Sequence, residues 1–205
     1  MFEMENAAGR PETIIVQPAS YIERLNVAAL FDTPQPLEIE LGAGDGSFLV
    51  QWAALNPDRN LLGVERLLGR LKKIDRKSRR ARLTNVHALR LEAGYFAEYL
   101  LPRESVSAFH IYFPDPWPKR KHRQNRLINE RFTEVLRAAL APGGVVYLRT
   151  DDTDYFSQMV DVFNANGNFG ENSTSSRLAD VLTDFEREFN AKGIQTNRAA
   201  YRRAT

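Results

Sequence analysis

Residues 113–123 combine side chains that can recognise a nucleobase and its phosphates. They read Phe-Pro-Asp-Pro-Trp-Pro-Lys-Arg-Lys-His-Arg, so one carboxylate (Asp115) and one indole (Trp117) are followed at once by five cationic or potentially cationic side chains. Three prolines within five residues fix φ and remove backbone donors, which predicts a stiff loop. A rigid loop of this composition is poorly suited to core packing. The plainer interpretation is a solvated turn that Trp117 anchors.

A glycine-rich segment at residues 42–46 predicts a second kind of site. A short β-type run at 37–41 is followed by glycines at every second position, Gly42, Gly44 and Gly46, and then by an apolar helix pattern. Glycine permits φ > 0 and lets backbone N–H groups approach a ligand. The spacing of the third glycine differs from that of the NAD fingerprint and is typical of S-adenosylmethionine sites. A tight βα turn that serves only the fold is the alternative.

Glu65 strengthens the case for a ligand site beside these glycines. It follows a second apolar run, residues 61–64, about twenty residues after the glycines, where nucleotide-binding folds place a ribose-binding acid. A carboxylate at such a strand end can accept hydrogen bonds from both hydroxyls of a ribose. The glycines and Glu65 together therefore predict a cofactor that carries a ribose but no pyrophosphate.

Composition excludes several classes of protein. The 205 residues suffice for one α/β domain, and 43% hydrophobic with 26% charged residues are ordinary globular values. There is no cysteine, and the three histidines lie far apart, so disulfides, thiolate chemistry and a metal site are not expected. No apolar run reaches the roughly 18 residues of a membrane span. The polar extension at about 1–12 lacks a signal-peptide core, so we predict a cytoplasmic protein.

Charge is unevenly distributed although the net charge is only +2. Residues 66–82 contain nine Lys or Arg and one acid. A second basic cluster follows Trp117, and a third closes the chain. The last two comprise Lys119, Arg120, Lys121, Arg123 and Arg126, and then Arg198, Arg202 and Arg203. These clusters predict a polarised surface suited to a polyanion, although a charged helix face is often merely solvated.

The order of elements predicts a doubly wound α/β fold. Apolar runs and helical periodicity alternate along the chain, and right-handed crossovers between parallel strands then give a mostly parallel, seven-stranded sheet with helices on both faces. Strands are predicted at 37–41, 61–64, 86–89, 107–112 and 144–149, with a strand after 167 and a last one near 194–201. Helices are predicted at about 46–55, 66–81, 94–101, 126–141, 152–166 and 182–190. The whole chain, 1–205, is expected to be one domain.

Ligands of such sheets bind at the carboxyl ends of the strands. Four of the predicted strand ends are followed by carboxylates, Glu65, Glu92, Asp115 and Asp151. A single acid at a strand end is more often a helix cap than a ligand contact. Their convergence on one edge is the more specific signal, and it predicts a crevice lined by these loops.

The ordered set of motifs resembles bacterial tRNA (guanine-N7-)-methyltransferases over nearly the whole chain. The proline-tryptophan segment is highly specific, whereas the glycine loop marks only the superfamily. The matching pieces are Glu40-Leu41-Gly42-Ala43-Gly44-Asp45-Gly46, Gly63-Val64-Glu65, Asn85-Val86 leading to Glu92-Ala93, Phe113 to Lys119, Thr150-Asp151 and Thr183-Asp184-Phe185-Glu186. The resemblance implies a Rossmann-like class I methyltransferase that uses S-adenosylmethionine. The implied acceptor is N7 of the variable-loop guanosine at nucleotide 46 of tRNA.

The resemblance also implies a role for individual residues. It places Glu40, the three loop glycines, Glu65, Glu92 and Asp115 at the cofactor, with Asp115 as the catalytic residue. It places Lys119, Asp151, Thr183, Asp184, Phe185 and Glu186 at the RNA. The chain departs from the family pattern twice, with Glu92 where Asp is usual and Asp184 where Lys is usual. No metal, membrane or obligate protein partner is implied, and the protein is expected to be a monomer or homodimer.

Two other functions fit parts of the same sequence. A small-molecule methyltransferase on this fold predicts an enclosed acceptor pocket and has no use for three basic clusters. A non-catalytic RNA-binding protein predicts a decayed cofactor loop, yet Gly42, Gly44, Gly46 and Glu65 are all present. Trp117 could stack on a splayed-out base or brace its own loop, and the residues alone favour bracing only slightly.

Overall fold

A computed structural model describes residues 13–205 of the chain. The predicted polar extension, 1–12, lies outside the described residues. The strands are β1 Ile15–Val16, β2 Leu37–Leu41, β3 Asn60–Val64, β4 Val86–Leu89, β5 Val106–Tyr112, β6 Leu140–Thr150, β7 Phe169–Glu171 and β8 Asn197–Arg203. The α-helices are α1 Ser47–Leu55, α2 Leu68–Arg80, α3 Ala93–Tyr95, α4 Glu130–Ala139, α5 Thr153–Ala165, α6 Ser176–Ala179 and α7 Asp184–Ala191. Short 3₁₀ helices occupy Val27–Leu30 and Arg120–Asn125.

The strands form one eight-stranded sheet in the order β1-β4-β3-β2-β5-β6-β8-β7. The pairings from β1 through β6 are parallel, and β8 is antiparallel to both β6 and β7. The predicted doubly wound, mostly parallel sheet is confirmed, but it has eight strands instead of seven. The additional strand β1 has two residues, which is too short for a periodic pattern to reveal.

Helices cover both faces of the sheet, as predicted. On one face Phe48 and Leu49 of α1, Leu71 and Ile74 of α2, and Leu178 of α6 are buried together. On the other face the buried side chains come mainly from the π-turn Phe96–Leu100, α4 and α5. They include Phe96, Phe132, Leu136, Tyr155, Met159 and Phe163. The longer helices α1, α2, α4 and α5 thus bury apolar side chains against the strands, which sets the direction in which their ends point.

Several predicted boundaries shift in the structure. The helix predicted at 94–101 is a single turn, α3, continued by the π-turn. The helix predicted at 126–141 begins only at Glu130, where the Asn129 side chain accepts from Phe132 N–H, and it ends at Ala139. The chain then joins β6 early, because Leu140 pairs with Val106 across an irregular register. The helix predicted at 66–81 begins at Leu68, and Leu67 is 47% exposed because it lies before the first turn of α2.

The parallel strands end at one edge of the sheet, so the loops after β2, β3, β4, β5 and β6 lie side by side. Backbone hydrogen bonds join neighbouring loops at this edge. Ala43 N–H donates to Val64 C=O at 2.9 Å, and Glu65 N–H donates to Leu89 C=O at 3.0 Å. Phe113 N–H donates to Arg149 C=O at 2.8 Å. Among residues 13–205, no helix is long and apolar enough to cross a membrane.

Candidate active site

The glycine loop after β2 leaves open space where a ligand can approach the backbone. Gly42, Gly44 and Gly46 all have positive φ, at 80°, 55° and 75°. A Cβ atom on Gly42 would meet nothing within 4 Å, and one on Gly44 would meet only the Gly42 carbonyl oxygen at 4.0 Å. Gly46 differs, because a Cβ there would lie 2.9 Å from Cγ1 of Ile74 in α2. The first two glycines thus form an open cradle, and the third lets helix α2 pack against the loop.

Glu65 holds this loop against the end of β3. One carboxylate oxygen accepts from Gly44 N–H at 3.0 Å, and the other accepts from Leu67 N–H at 2.7 Å. The residue is 5% exposed. A carboxylate oxygen has two lone pairs, so each oxygen retains acceptor capacity for a ligand hydroxyl. Glu65 therefore holds the loop in shape and can still accept hydrogen bonds from a ribose. The sequence did not indicate the first of these two roles.

Glu40 is a buried carboxyl under the same loop. It is 3% exposed, and its Oε2 has no hydrogen-bond partner among residues 13–205. Burial raises the pKa of Glu40 well above its ordinary value, Arg149 opposes this rise, and the carboxylates of Asp45 and Glu65 add to it. A buried polar atom without a hydrogen-bond partner lowers the stability of the fold. The unpartnered Oε2 of Glu40 beside the open glycines therefore fits a residue whose partner is a bound ligand.

Glu92 begins helix α3. Its two oxygens accept from Gly94 N–H at 2.9 Å and Tyr95 N–H at 2.6 Å, and its side chain is exposed. The carboxylate thus acts as the helix cap that a strand-end acid usually provides. Glu92 follows β4 at the edge where the carboxyl ends of the parallel strands lie.

The Asp115 loop is rigid and presents its acid to solvent. Phe113 and Trp117 each precede a proline and have φ of 51° and 44°. Such left-handed conformations in bulky residues are uncommon and cluster at functional sites. Asp115 is exposed and makes no hydrogen bond or ion pair with any other described residue. The loop is therefore strained and fixed, with its carboxylate free to contact a ligand.

Arg126 is the residue that fixes this loop. Its Nε donates to Pro116 C=O at 2.7 Å, and its Nη atoms donate to Gln158 at 2.8 Å and Asp154 at 2.6 Å. The guanidinium also lies 4.8 Å from the centroid of the Tyr155 ring. Arg126 is 2% exposed, so its assignment to a basic surface cluster was wrong. Buried arginines need such partners, but no sequence pattern identified them 10 to 32 residues away.

The other basic clusters are also partly neutralised. Arg123 pairs with Asp154 at 2.9 Å, and Arg203 pairs with Glu104 at 2.7 Å. Arg198 pairs with Glu186, and Arg202 donates to Gly143 C=O. The exposed cations that make no ion pair within residues 13–205 are concentrated after Trp117 and on α2. They include Lys119, Arg120, Lys121, Lys73, Arg76 and Arg80.

The predicted RNA-contacting residues divide into exposed and buried groups. Lys119 is exposed, Asp151 is half-buried, and neither forms an ion pair with the rest of the described chain. Phe185 is 44% exposed and lies 5.8 Å from the Arg70 guanidinium. Its ring also lies 6.4 Å from that of Phe113, so helix α7 contacts the start of the Asp115 loop.

The structure places Glu186 and Thr183 in the interior. Glu186 is 0% exposed, and its carboxylate binds Arg149 at 2.8 Å and also Arg198. Thr183 is 7% exposed and caps α7 by accepting from Glu186 N–H at 3.0 Å. In this conformation neither side chain can reach a macromolecule, because both are engaged in holding α7. Asp184 and Phe185 are the members of the segment that remain accessible.

Arg149 is a structural residue that the sequence analysis missed. It is 2% exposed, donates to the Val181 and Leu178 carbonyls, and lies 4.3 Å from the centroid of the Tyr112 ring. A single arginine directly after the apolar run 145–148 was the available signal, since a buried charge requires a partner. Arg149 therefore ties β6 to the segment that carries α6 and α7.

Two cavities of the described structure have neither Gly42 or Gly44 nor Asp115 in their linings. One of about 500 Å³ lies between α1, α2 and α7, and another of about 530 Å³ lies at the amino ends of β2, β5 and β6. We place the candidate active site at the strand ends because the open glycines, the unpartnered Glu40 and the free Asp115 carboxylate meet there. Within residues 13–205, no group of three or more His, Cys, Asp or Glu side chains is placed to hold a metal.

Comparison with known proteins gives a match over most of the chain. Residues 34–202 match the family described as putative methyltransferase. The tRNA (guanine-N(7)-)-methyltransferase of Halorhodospira halophila is 34% identical over 184 residues, which is 87% of this chain and 79% of that protein. The protein of the same name from Syntrophotalea carbinolica is 38% identical over 155 residues, or 76% of this chain. The match spans 64% of that relative's own length.

A solved structure with a similar fold is that of the 16S rRNA methyltransferase KamB. It aligns with a TM-score of 0.62 and 14% identity, over 89% of this chain and 95% of that one. At this identity the likeness concerns the fold alone, and it confirms the predicted Rossmann-like class I methyltransferase architecture.

Proposed function

The chain belongs to the family of bacterial tRNA (guanine-N7-)-methyltransferases, and we propose that it transfers a methyl group from S-adenosylmethionine to N7 of a guanine in tRNA. We place the acceptor at nucleotide 46 in the variable loop. The observation that carries the proposal is the free Asp115 carboxylate on a loop that Arg126 holds rigid. The continuous sheet from Ile15 to Arg203 supports one methyltransferase domain.

The cofactor-binding residues are assigned from the donor and acceptor set at the strand ends. The open backbone at Gly42 and Gly44 accommodates the methionine part of the cofactor, and Glu65 accepts from the ribose hydroxyls. Glu40 contributes the unpartnered oxygen beneath the loop. Gly46 and Glu92 act by shaping the loops around the ligand, since one contacts α2 and the other caps α3. The bound cofactor supplies an electrophilic methyl group on a sulfonium.

The chemical step requires positioning more than proton transfer. Guanine N7 carries an in-plane lone pair and no proton, so the acceptor needs no general base. Asp115 fixes the base by accepting from its N1–H and N2–H, or stabilises the positive charge that develops on the purine. A charge of this kind stabilises the transition state most when it is already in place and does not have to reorganise. The prolines and Arg126 hold the Asp115 loop in position.

The RNA is held by exposed side chains around Asp115. Lys119 lies four positions beyond the acid and meets a phosphate near the reacting nucleotide, and Asp151 lies at the neighbouring strand end. Phe185 offers an exposed ring beside Arg70. The cations of α2 contact RNA phosphates farther from the reacting guanine. Phosphate contacts position RNA without reading its sequence. Thr183 and Glu186 support this surface from within.

The small-molecule alternative is less compatible with the surroundings of Asp115. Asp115, Trp117 and Lys119 are all exposed, whereas a small acceptor would need an enclosing pocket there. A flipped or unpaired base of a large RNA needs only an open surface with a stacking ring and cations. We expect the protein to act in the cytoplasm as a monomer or homodimer, without an obligate partner subunit.

The test is methyl transfer to unmodified tRNA followed by nucleoside analysis. The proposal expects 7-methylguanosine from a wild-type transcript and none from a transcript in which guanine 46 is replaced by adenine. Asp115→Ala is expected to lower kcat/KM by about 30- to 1,000-fold, comparable to the loss of one preorganised contact of about 2–4 kcal/mol.

Asp58→Ala is the matched control, because Asp58 is an exposed acid in the turn that leads into β3, away from the strand ends that form the candidate site. It should retain wild-type turnover. A folded Asp115→Ala protein with near-normal turnover would remove Asp115 from the reaction. Methylation of the adenine-46 transcript would place the acceptor elsewhere.

A further inference from the structure

Lys77 forms a charged bridge between the glycine loop and helix α7. Its ammonium pairs with the carboxylate of Asp45, which lies between Gly44 and Gly46, and it lies 3.9 Å from the carboxylate of Asp184. The Lys77 side chain is 35% exposed, whereas those of Asp45 and Asp184 are 23% and 49% exposed. Lys77 is thus engaged within the protein, unlike Lys73 on the same helix, which makes no ion pair with the described residues.

A second contact links the same two elements. The Ser47 hydroxyl accepts from Asp184 N–H at 2.9 Å, while Ser47 N–H donates to Asp45 at 3.1 Å. Burial raises the pKa of Asp45, but its contacts with Asp184 and Lys77 outweigh burial and hold that pKa below its ordinary value. These polar contacts therefore tie the start of α7 to the glycine loop and to the first residue of α1.

The space around this bridge explains why these polar contacts matter. A cavity of about 500 Å³ separates α7 from α1 and α2, and Ser47, Lys77, Asp184 and Arg187 line it. Because the Lys77 bridge spans this gap, a displacement of the glycine loop can reach α7 through it. At its other side, α7 places Phe185 and Phe189 against Phe113, with ring centroids 6.4 and 5.7 Å apart.

We propose that Lys77 is a positioning residue that couples occupation of the cofactor loop to the placement of α7 and, through Phe113, to the Asp115 loop. The inference rests on the proposed function, because the loop is taken as the cofactor site and α7 as part of the RNA surface. Ligand binding orders the glycine loop, including Asp45. Because Lys77 contacts both Asp45 and Asp184, it then restrains the start of α7. This restraint fixes the position of Phe185. Cofactor and RNA should consequently bind with positive coupling.

The experiment measures hydrogen–deuterium exchange of the full chain with and without S-adenosylhomocysteine. In the wild type, the ligand should slow exchange in both the glycine loop and α7. In Lys77→Met, the loop should still be protected, but the ligand-induced slowing in α7 should fall by about five-fold, the lower end of usual coupling between sites. Lys73→Met removes the same charge from the same helix and should leave the ligand-induced slowing of exchange in α7 at its wild-type level, because Lys73 makes no ion pair with the described residues.

Two further variants separate the bridge from a general effect of charge. Lys77→Arg keeps a cation and should preserve the coupling. Lys77→Met combined with Asp184→Lys places a cation on α7 directly opposite Asp45, and it should restore most of the α7 protection. The inference is overturned if α7 is unaffected by ligand in the wild type, or if Lys77→Met shows wild-type protection.

A tRNA arm distinguishes this inference from the proposed function. At saturating cofactor, the KM for tRNA should rise several-fold more in Lys77→Met than in Lys73→Met. If the wild type forms no 7-methylguanosine but α7 shows Lys77-dependent protection, the proposed function fails and the coupling stands. If 7-methylguanosine forms but Lys77→Met retains α7 protection, the coupling fails and the proposed function stands.

Discussion

Glu186 is the residue for which the sequence and the structure lead to opposite expectations. Family resemblance places it at the RNA, whereas the structure buries it completely between Arg149 and Arg198. Removing its carboxylate with Glu186→Ala should therefore reduce stability before it affects RNA binding. The variant leaves the Arg149 guanidinium, which is 2% exposed, without its charged partner.

The size of the loss follows from what each arginine retains. Breaking a buried ion pair by removing one partner usually costs about 3–5 kcal/mol. Arg149 keeps its hydrogen bonds to the Val181 and Leu178 carbonyls at 2.7 and 2.6 Å. The Arg198 side chain is 34% exposed and can return to water. Both facts favour the lower end, about 3 kcal/mol, which for a chain of this size lowers Tm by about 6–12 °C.

Thermal unfolding followed by circular dichroism measures this loss. Glu188→Ala is the matched control, because Glu188 is an exposed acid on the same helix and makes no ion pair within residues 13–205. Its Tm should stay near the wild-type value, since surface substitutions usually change stability by less than about 0.5 kcal/mol. Below its own Tm, Glu186→Ala should bind S-adenosylmethionine normally. An unchanged Tm together with a raised KM for tRNA would refute the burial argument and return Glu186 to the RNA surface.

Three other variants test the remaining assignments. Glu65→Ala should weaken S-adenosylmethionine binding by about 10- to 150-fold in calorimetry, because hydrogen bonds to a charged group contribute about 1.5–3 kcal/mol, and should affect tRNA affinity less. Burial raises the pKa of Glu40 well above 4.5, so the native state retains a proton that the unfolded state loses, and stability falls as pH rises above that value. Glu40→Gln should therefore raise Tm at neutral pH but not at acid pH, by about 2–4 °C per kcal/mol recovered. Neutralising Lys73, Arg76 and Arg80 together should flatten the slope of log tRNA affinity against log salt by somewhat under one unit per lost contact, without changing cofactor affinity.

Each of these three predictions can be contradicted by a specific result. Unchanged cofactor affinity in Glu65→Ala would reduce that residue to a brace for the glycine loop. Equal destabilisation of Glu40→Gln at every pH would mean that the buried carboxyl makes a stabilising contact. A wild-type salt slope in the triple variant would show that the exposed face of α2 is only solvated and that RNA contacts the cluster after Trp117.

Local patterns determined the elements and the family. The runs at 37–41 and 86–89 coincide with β2 and β4, because short apolar stretches bounded by glycine or polar residues carry their own signal. The glycine spacing and the proline-tryptophan segment identified the family, since each depends on adjacent residues. The two-residue strand β1 escaped because its conformation is set by pairing with β4 and not by any periodicity.

Tertiary structure alone decided what the charged residues do. Arg126, Lys77, Arg198 and Glu186 all belong to segments that the sequence indicates as nucleic-acid contacts, yet they bind partners within the protein. The partner of Lys77 lies 32 positions away, and that of Arg149 lies 37 positions away. A charged residue looks the same in the sequence whether its side chain faces solvent or a buried carboxylate. Only the fold brings the two groups together, because burial and distance determine whether a charge is free to meet RNA or is used to hold the site.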